Sequence, residues 1–155
     1  IFPLALFTFI VLLPYKGAVG GVHLHSHIGC IIFTTLFFCG IPYISQYIVL
    51  SSIIKYIVIL LTWIFGIIMI KMYAPADTEN VPILRKKDRR KKQILSYITF
   101  TIGLICALII KDNVISNILI LANLIQTITI TKFVYRLTNS KYGYEVYGDI
   151  IEKTV

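Results

Sequence analysis

Residues 53–70 read IIKYIVILLTWIFGIIMI, eighteen positions in which Lys55 is the only charge. A helix rises about 1.5 Å per residue and the bilayer core is about 30 Å thick, so roughly 20 such residues cross it. Working outward, further apolar runs fall at 1–13, 30–50, 94–110 and 114–134. The runs at 30–50, 53–70 and 114–134 are long enough to span outright, and 94–110 is short but adequate. The run at 1–13 is either cut short or only dips into the membrane. Backbone amides in lipid must bond within their own segment, so each run is expected to be helical despite its many Ile, Val and Thr residues. Gly40 and Pro42 are expected to kink the second run. With 57% hydrophobic and 14% charged residues, the 155-residue chain is too apolar for an ordinary soluble domain. The expectation is one all-α polytopic membrane domain over 1–155, with four to five transmembrane helices. The chain opens in an apolar run without Met, so residues are expected upstream.

Lys and Arg placement predicts orientation, because cytoplasmic loops are enriched in both. The stretch KMYAPADTENVPILRKKDRRKKQ (71–93) carries eight basic and three acidic side chains. If this loop is cytoplasmic, so are the segment 14–29 with Lys16 and the tail with Lys132, Arg136, Lys141 and Lys153. Thirteen of the fifteen basic residues then lie on that side, against Lys55 and Lys111 on the other. Such clustering fits a membrane topology rather than nucleic acid. The tail at 135–155 is read as cytoplasmic.

The last apolar run contains Ser116, Asn117, Asn123 and Gln126. Amides in a bilayer seek partners on other helices, so this run is expected to face protein, as helix–helix glue or as a substrate-facing surface. Cys30, Cys39 and Cys106 show no paired or metal-type spacing, which argues against a disulfide framework.

The chemistry concentrates at 14–30, PYKGAVGGVHLHSHIGC. All three histidines (His23, His25, His27) lie here, with Gly17, Gly20, Gly21 and Gly29 around them and Cys30 at the start of the next run. Glycine disfavours helix, so the stretch reads as a cytoplasmic loop or a re-entrant piece. On one straight helix His23 and Cys30 would stand about 10 Å apart, too far to interact. A bend at the glycines, with Gly29 allowing a turn just before Cys30, would bring them together. Cys30 would then sit in the first turn of a transmembrane helix, where the helix dipole and a nearby imidazolium favour the thiolate. A thiolate beside a histidine is the working pair of a cysteine peptidase. Two other readings stand beside it. Cys30 can be a small apolar residue at a helix start. The His-x-His-x-His triplet with Cys30 can be a metal site, although such alternation suits a strand better than a membrane loop.

The string Gly20-Gly21-Val22-His23, followed by Cys30 seven residues on, resembles the Gly-Gly-x-His…Cys signature of the accessory gene regulator protein B family. Residues 74–92, APADTENVPILRKKDRRKK, match that family's second recognisable segment, Ala-Pro-Ala-Asp-Thr-Glu-Asn followed by a proline and a basic run. The chain departs from the pattern at Leu24, where relatives often carry Ala, and in His25 and His27.

The resemblance implies a membrane cysteine endopeptidase that matures the precursor of a cyclic quorum-sensing (autoinducing) peptide in the bacterial cell membrane. It implies Cys30 as nucleophile and His23 as general base, with no metal and no cofactor, the active site facing the cytoplasm, and a homodimer to which the polar last span could contribute. The runner-up is an export component for a small peptide without proteolytic activity. No Asp or Glu precedes Asp77, so a carboxylate orienting His23 must be Asp77 or Glu79 from a loop that folds back, or else a backbone carbonyl does so. Arg85, Lys86, Lys87, Arg89, Arg90, Lys91 and Lys92 are candidates for binding an acidic precursor tail. They are equally suited to an anionic lipid surface, at about 1 kcal/mol each, or to a solvated loop that only sets topology. Residues 74–80, with prolines at 75 and 82, are expected to be a rigid turn rather than a binding site in their own right.

Overall fold

The computed structural model describes residues 1–24 and 26–152, with side chains described as far as Gly148. Seven helices follow in order: α1 Phe2–Val19, α2 His27–Ser45, α3 Ser52–Tyr73, α4 Lys86–Ile109, α5 Asn113–Thr129, α6 Lys132–Leu137 and α7 Gly143–Glu152. The first four are long and apolar enough to cross a membrane. The all-helical membrane fold expected from the apolar runs is therefore the fold found. The first run is a full-length helix: Pro14 is accommodated inside α1, which continues through Lys16 and Gly17 to Val19.

The fifth run differs from expectation. Its helix stops after 17 residues, about 25 Å, and the chain turns at Ile130–Thr131 before α6. Hydroxyls explain the break. Thr129 Oγ1 donates to the Gln126 carbonyl (2.7 Å) and Thr131 Oγ1 to that of Ile128 (2.8 Å), offering the backbone a local alternative to the helical ladder.

This short helix is the centre of the molecule. Ten of its seventeen residues are buried, and it packs on α1, α2, α3 and α4. The spanning helices instead turn large apolar side chains outward, among them Ile53, Ile57, Leu60 and Leu61 on α3. That is the pattern a lipid solvent requires. The amides of α5 face protein, as expected, but they are used within the chain. Asn117 Nδ2 donates to the Ile48 carbonyl at 2.8 Å, and Gln126 Nε2 to that of Gly20 at 2.7 Å. The polar face of this helix is thus not an exposed surface for a second copy.

The basic stretch is not loop throughout. Lys86–Lys92 form the first two turns of α4, and the connection between α3 and α4 is confined to 74–85. The tail is also folded, as α6 and α7, although Lys153 lies outside the described residues.

Polar contacts sort the connections into two ends. At one, Lys55 Nζ donates to the Ile110 carbonyl at 2.9 Å, near Lys111. At the other, the chain at 20–24, the connection 74–85 and the segment after Thr129 converge. Gly20, Gly21, His23 and the basic run share this second end.

Candidate active site

The site begins where α1 stops. Gly20 and Gly21 take φ of 77° and 142°, a region that glycine enters freely and side chains resist. A Cβ on Gly20 would collide with the Ala76 carbonyl. The absence of that atom lets the two segments pair: the Ala76 amide donates to the Val19 carbonyl (2.8 Å) and the Gly21 amide to the Ala76 carbonyl (3.1 Å). The segment 74–80, expected as a rigid turn rather than a binding site in its own right, contributes Ala76, Asp77 and Thr78 to a wall of the site.

Residues 22–24 are non-helical, and Ser26 Oγ caps α2 by accepting from the Gly29 amide at 3.4 Å. Gly29 is thus helical and makes no turn before Cys30; of the glycines where a bend was expected, Gly20 and Gly21 supply it. Cys30 is the fourth residue of α2, half-buried, with its amide bonded to the Ser26 carbonyl at 2.9 Å.

His23 and Cys30 line the same cavity, of about 300 Å³, together with Lys16, Asp77, Lys92 and Gln126. His27, exposed at the first position of α2, does not line it, and His25 lies outside the described residues. Among the described residues no three His, Cys, Asp or Glu side chains gather as a metal-binding group would. Lys16, in the last turn of α1, shares the cavity wall with Cys30. Its ammonium also lies 5.6 Å from the centre of the Phe38 ring.

Asp77 brings its own network. Its Oδ2 accepts from the Ile83 amide (3.0 Å) and from Arg89 Nη1 (3.2 Å), and the carboxylate is fully buried. Oδ1 is buried with no partner among the described residues. Arg89 also donates to the carbonyls of Ile83 and Pro75. The loop therefore does fold back beside His23, but one carboxylate oxygen is committed to Arg89. Glu79 does not line the cavity. The His23 carbonyl accepts from Ser140 Oγ at 3.3 Å.

The seven basic candidates separate in the same way. Lys92 lines the cavity, Arg89 is held by the 74–83 loop, and Arg85, Lys86, Lys87, Arg90 and Lys91 lie outside the cavity wall on the exposed start of α4. The sequence did not single out Lys16 as part of the site. The one signal for Lys16 was its position as the first charge in the chain. Gln126, expected either as helix glue or on a substrate-facing surface, both bonds the Gly20 carbonyl and lines the cavity.

Residues 1–130 match the family model described as Accessory gene regulator B. An AgrB-like protein of Listeria innocua is 28% identical over 128 residues, covering 82% of this chain and 61% of its own length. Accessory gene regulator protein B of Staphylococcus epidermidis is 28% identical over 123 residues, covering 79% of this chain and 60% of its own. The chain thus spans about three fifths of the length of the relatives it matches. No solved structure matches it. A family model that covers most of the chain, including the glycine pair, His23, Cys30 and the basic run, shows that this membrane protein belongs to the accessory gene regulator B family.

Proposed function

We propose that this chain is a membrane cysteine endopeptidase that matures the precursor of a cyclic quorum-sensing peptide. The carrying observation is that His23 and Cys30 line one cavity in a member of this family. His23 takes the proton from Cys30 Sγ, and the thiolate attacks a carbonyl carbon of the precursor. The C–N bond breaks as the imidazolium returns its proton to the leaving amine. The body of the precursor stays on Cys30 as a thioester, and its C-terminal tail departs. A Cys or Ser side chain of the precursor then displaces Cys30, closing a thiolactone or lactone. An amide is more stable than a thioester, so the first step runs uphill and needs removal of the tail to proceed.

Charge supports the choice of substrate. Lys16 and Lys92 line the cavity, whereas the carboxylate of Asp77 is offset by Arg89. An acidic tail would meet Lys92 first from the exposed basic start of α4. The positive bias of this end supports a cytoplasmic active site, where thiols remain reduced.

The test is co-expression of a tagged precursor with wild-type and Cys30→Ala protein, followed by mass analysis. Cleavage and a cyclic product are expected from the wild type alone, with both proteins present in the membrane. Cleavage that persists in Cys30→Ala would overturn the proposal in favour of an export role. Homodimer formation, part of the same reading, is checked by cross-linking in intact membranes.

A further inference from the structure

The chain beyond the family match folds back onto both walls of the cavity. α6 ends in a turn of the Schellman type: the Asn139 amide donates to the Arg136 carbonyl (3.2 Å) and the Ser140 amide to that of Tyr135 (2.8 Å), with Asn139 at φ 56°. Asn tolerates this left-handed position, which reverses the chain within two residues. The reversal brings Ser140 Oγ to the His23 carbonyl on one wall. On the other wall, Tyr135 donates its hydroxyl to the Asp77 carbonyl at 2.9 Å.

Aromatic packing holds the turn in place. Tyr142 stacks on Tyr135 with ring centres 4.0 Å apart, lies parallel to Tyr73 of α3, and donates to the Ile130 carbonyl at 2.6 Å. Arg89, the partner of Asp77, sits 4.4 Å over the Tyr144 ring. A Cβ on Gly143 would strike the Thr78 carbonyl and Pro82, so the segment lies flush on the loop. Interfacial tyrosines that anchor a protein in a bilayer keep their hydroxyls among headgroups. Tyr135 and Tyr142 are 2% and 8% exposed, and both hydroxyls bond inward. An anchoring role does not account for them.

We propose that residues 132–148 are a strap in which Tyr135 and Ser140 act as positioning residues, holding the Asp77 loop and the His23 segment in register. Neither touches the reacting atoms. The consequence for catalysis rests on the His23–Cys30 reading, whereas the mechanical part stands without it.

The experiment uses the full chain in lipid nanodiscs and two variants, Tyr135→Phe and Ser140→Ala. Amide hydrogen exchange is followed at Gly21, Ala76 and Ile83, whose amides close the two walls, and precursor cleavage is measured in parallel. Tyr135→Phe leaves a buried carbonyl unpaired and should speed exchange at Ala76 and Ile83 by roughly tenfold, with amides in mid-α3 unchanged. Ser140→Ala should speed exchange at Gly21 by a smaller factor. In both variants kcat should fall while KM changes little. Unchanged exchange at all three amides would overturn the strap, and faster exchange with unaltered kcat would overturn its positioning role in catalysis. Should Tyr135→Phe fail to fold, the change Ser140→Ala at a half-buried position decides the same question. If the wild type cleaves no precursor, the endopeptidase reading fails and the exchange data still decide the strap.

Discussion

Arg89 Nη1 lies 3.2 Å from Asp77 Oδ2, joining the start of α4 to the loop that closes over the glycine pair. A buried carboxylate stripped of its cation is strongly destabilising, whereas removing both charges is far less so. Arg89→Met alone is therefore expected to lower stability by up to about 3 kcal/mol, Arg89 being partly open to solvent. Asp77→Asn combined with Arg89→Met should recover most of that loss. Chemical unfolding of the single and double variants in mixed micelles measures the coupling. Additive losses would show that the pair does not bear on the loop.

The glycine pair gives the second prediction. Gly20→Ala introduces a Cβ into the Ala76 carbonyl at a φ that side chains resist. The strain of such a position is on the order of 1–3 kcal/mol. It falls where two chain segments must touch, so loss of cleavage should exceed loss of stability. Gly17→Ala is the control, since Gly17 is helical and nothing lies within 4 Å of its added Cβ. Cleavage rates and thermal unfolding of the two variants separate the effects.

These two positions also show what the sequence conveyed and what it withheld. Long apolar runs reveal spanning helices because lipid permits little else, and the four found match four of the runs. His23 and Cys30 stood out because the three histidines and a cysteine crowd into one short glycine-rich stretch. The bend was expected among the glycines, but the turn allowed at Gly29 did not form, because composition does not tell which glycine adopts positive φ. That depends on Ala76, which is distant in sequence. The end of α5 was hidden for a related reason: the threonines that stop it are also normal in a membrane helix. The folded tail could not be foreseen, since the hydroxyl of Tyr135 gains its role only from the position of the Asp77 carbonyl.

The spanning region supplies a packing test. Gly66 of α3 faces the ring of Phe100 on α4 so closely that a Cβ would enter the ring. Without a hydrophobic force between helices in lipid, such close approach is a main source of helix affinity. Gly66→Ala should cost about 1–3 kcal/mol through overpacking. Phe100→Leu should rescue it in the double variant, because the smaller side chain vacates the space. Unfolding midpoints of the four proteins in one detergent decide the matter. Equal stability of Gly66→Ala and the wild type would show that α3 and α4 are free to separate at this point.

Alkaline pH tests the strap tyrosines. Burial raises the phenol of Tyr135 above its ordinary value, with the charge of Asp77 adding to the effect. Burial does the same to Tyr142, and Tyr135 beside it contributes next. Both phenols stay neutral in the folded protein at a pH where the unfolded chain, with ordinary phenols near 10, ionises. Their contribution is thus fully present below about pH 10 and is lost as the pH rises beyond it. Unfolding midpoints should be flat between pH 8 and 9 and fall steadily above 10. The Tyr135→Phe, Tyr142→Phe double variant should start from lower stability and fall less steeply. Ultraviolet titration should show two phenols fewer among those that ionise only on alkaline unfolding. An identical slope in the double variant would mean that these hydroxyls are open to solvent and that the tail does not seal the loop.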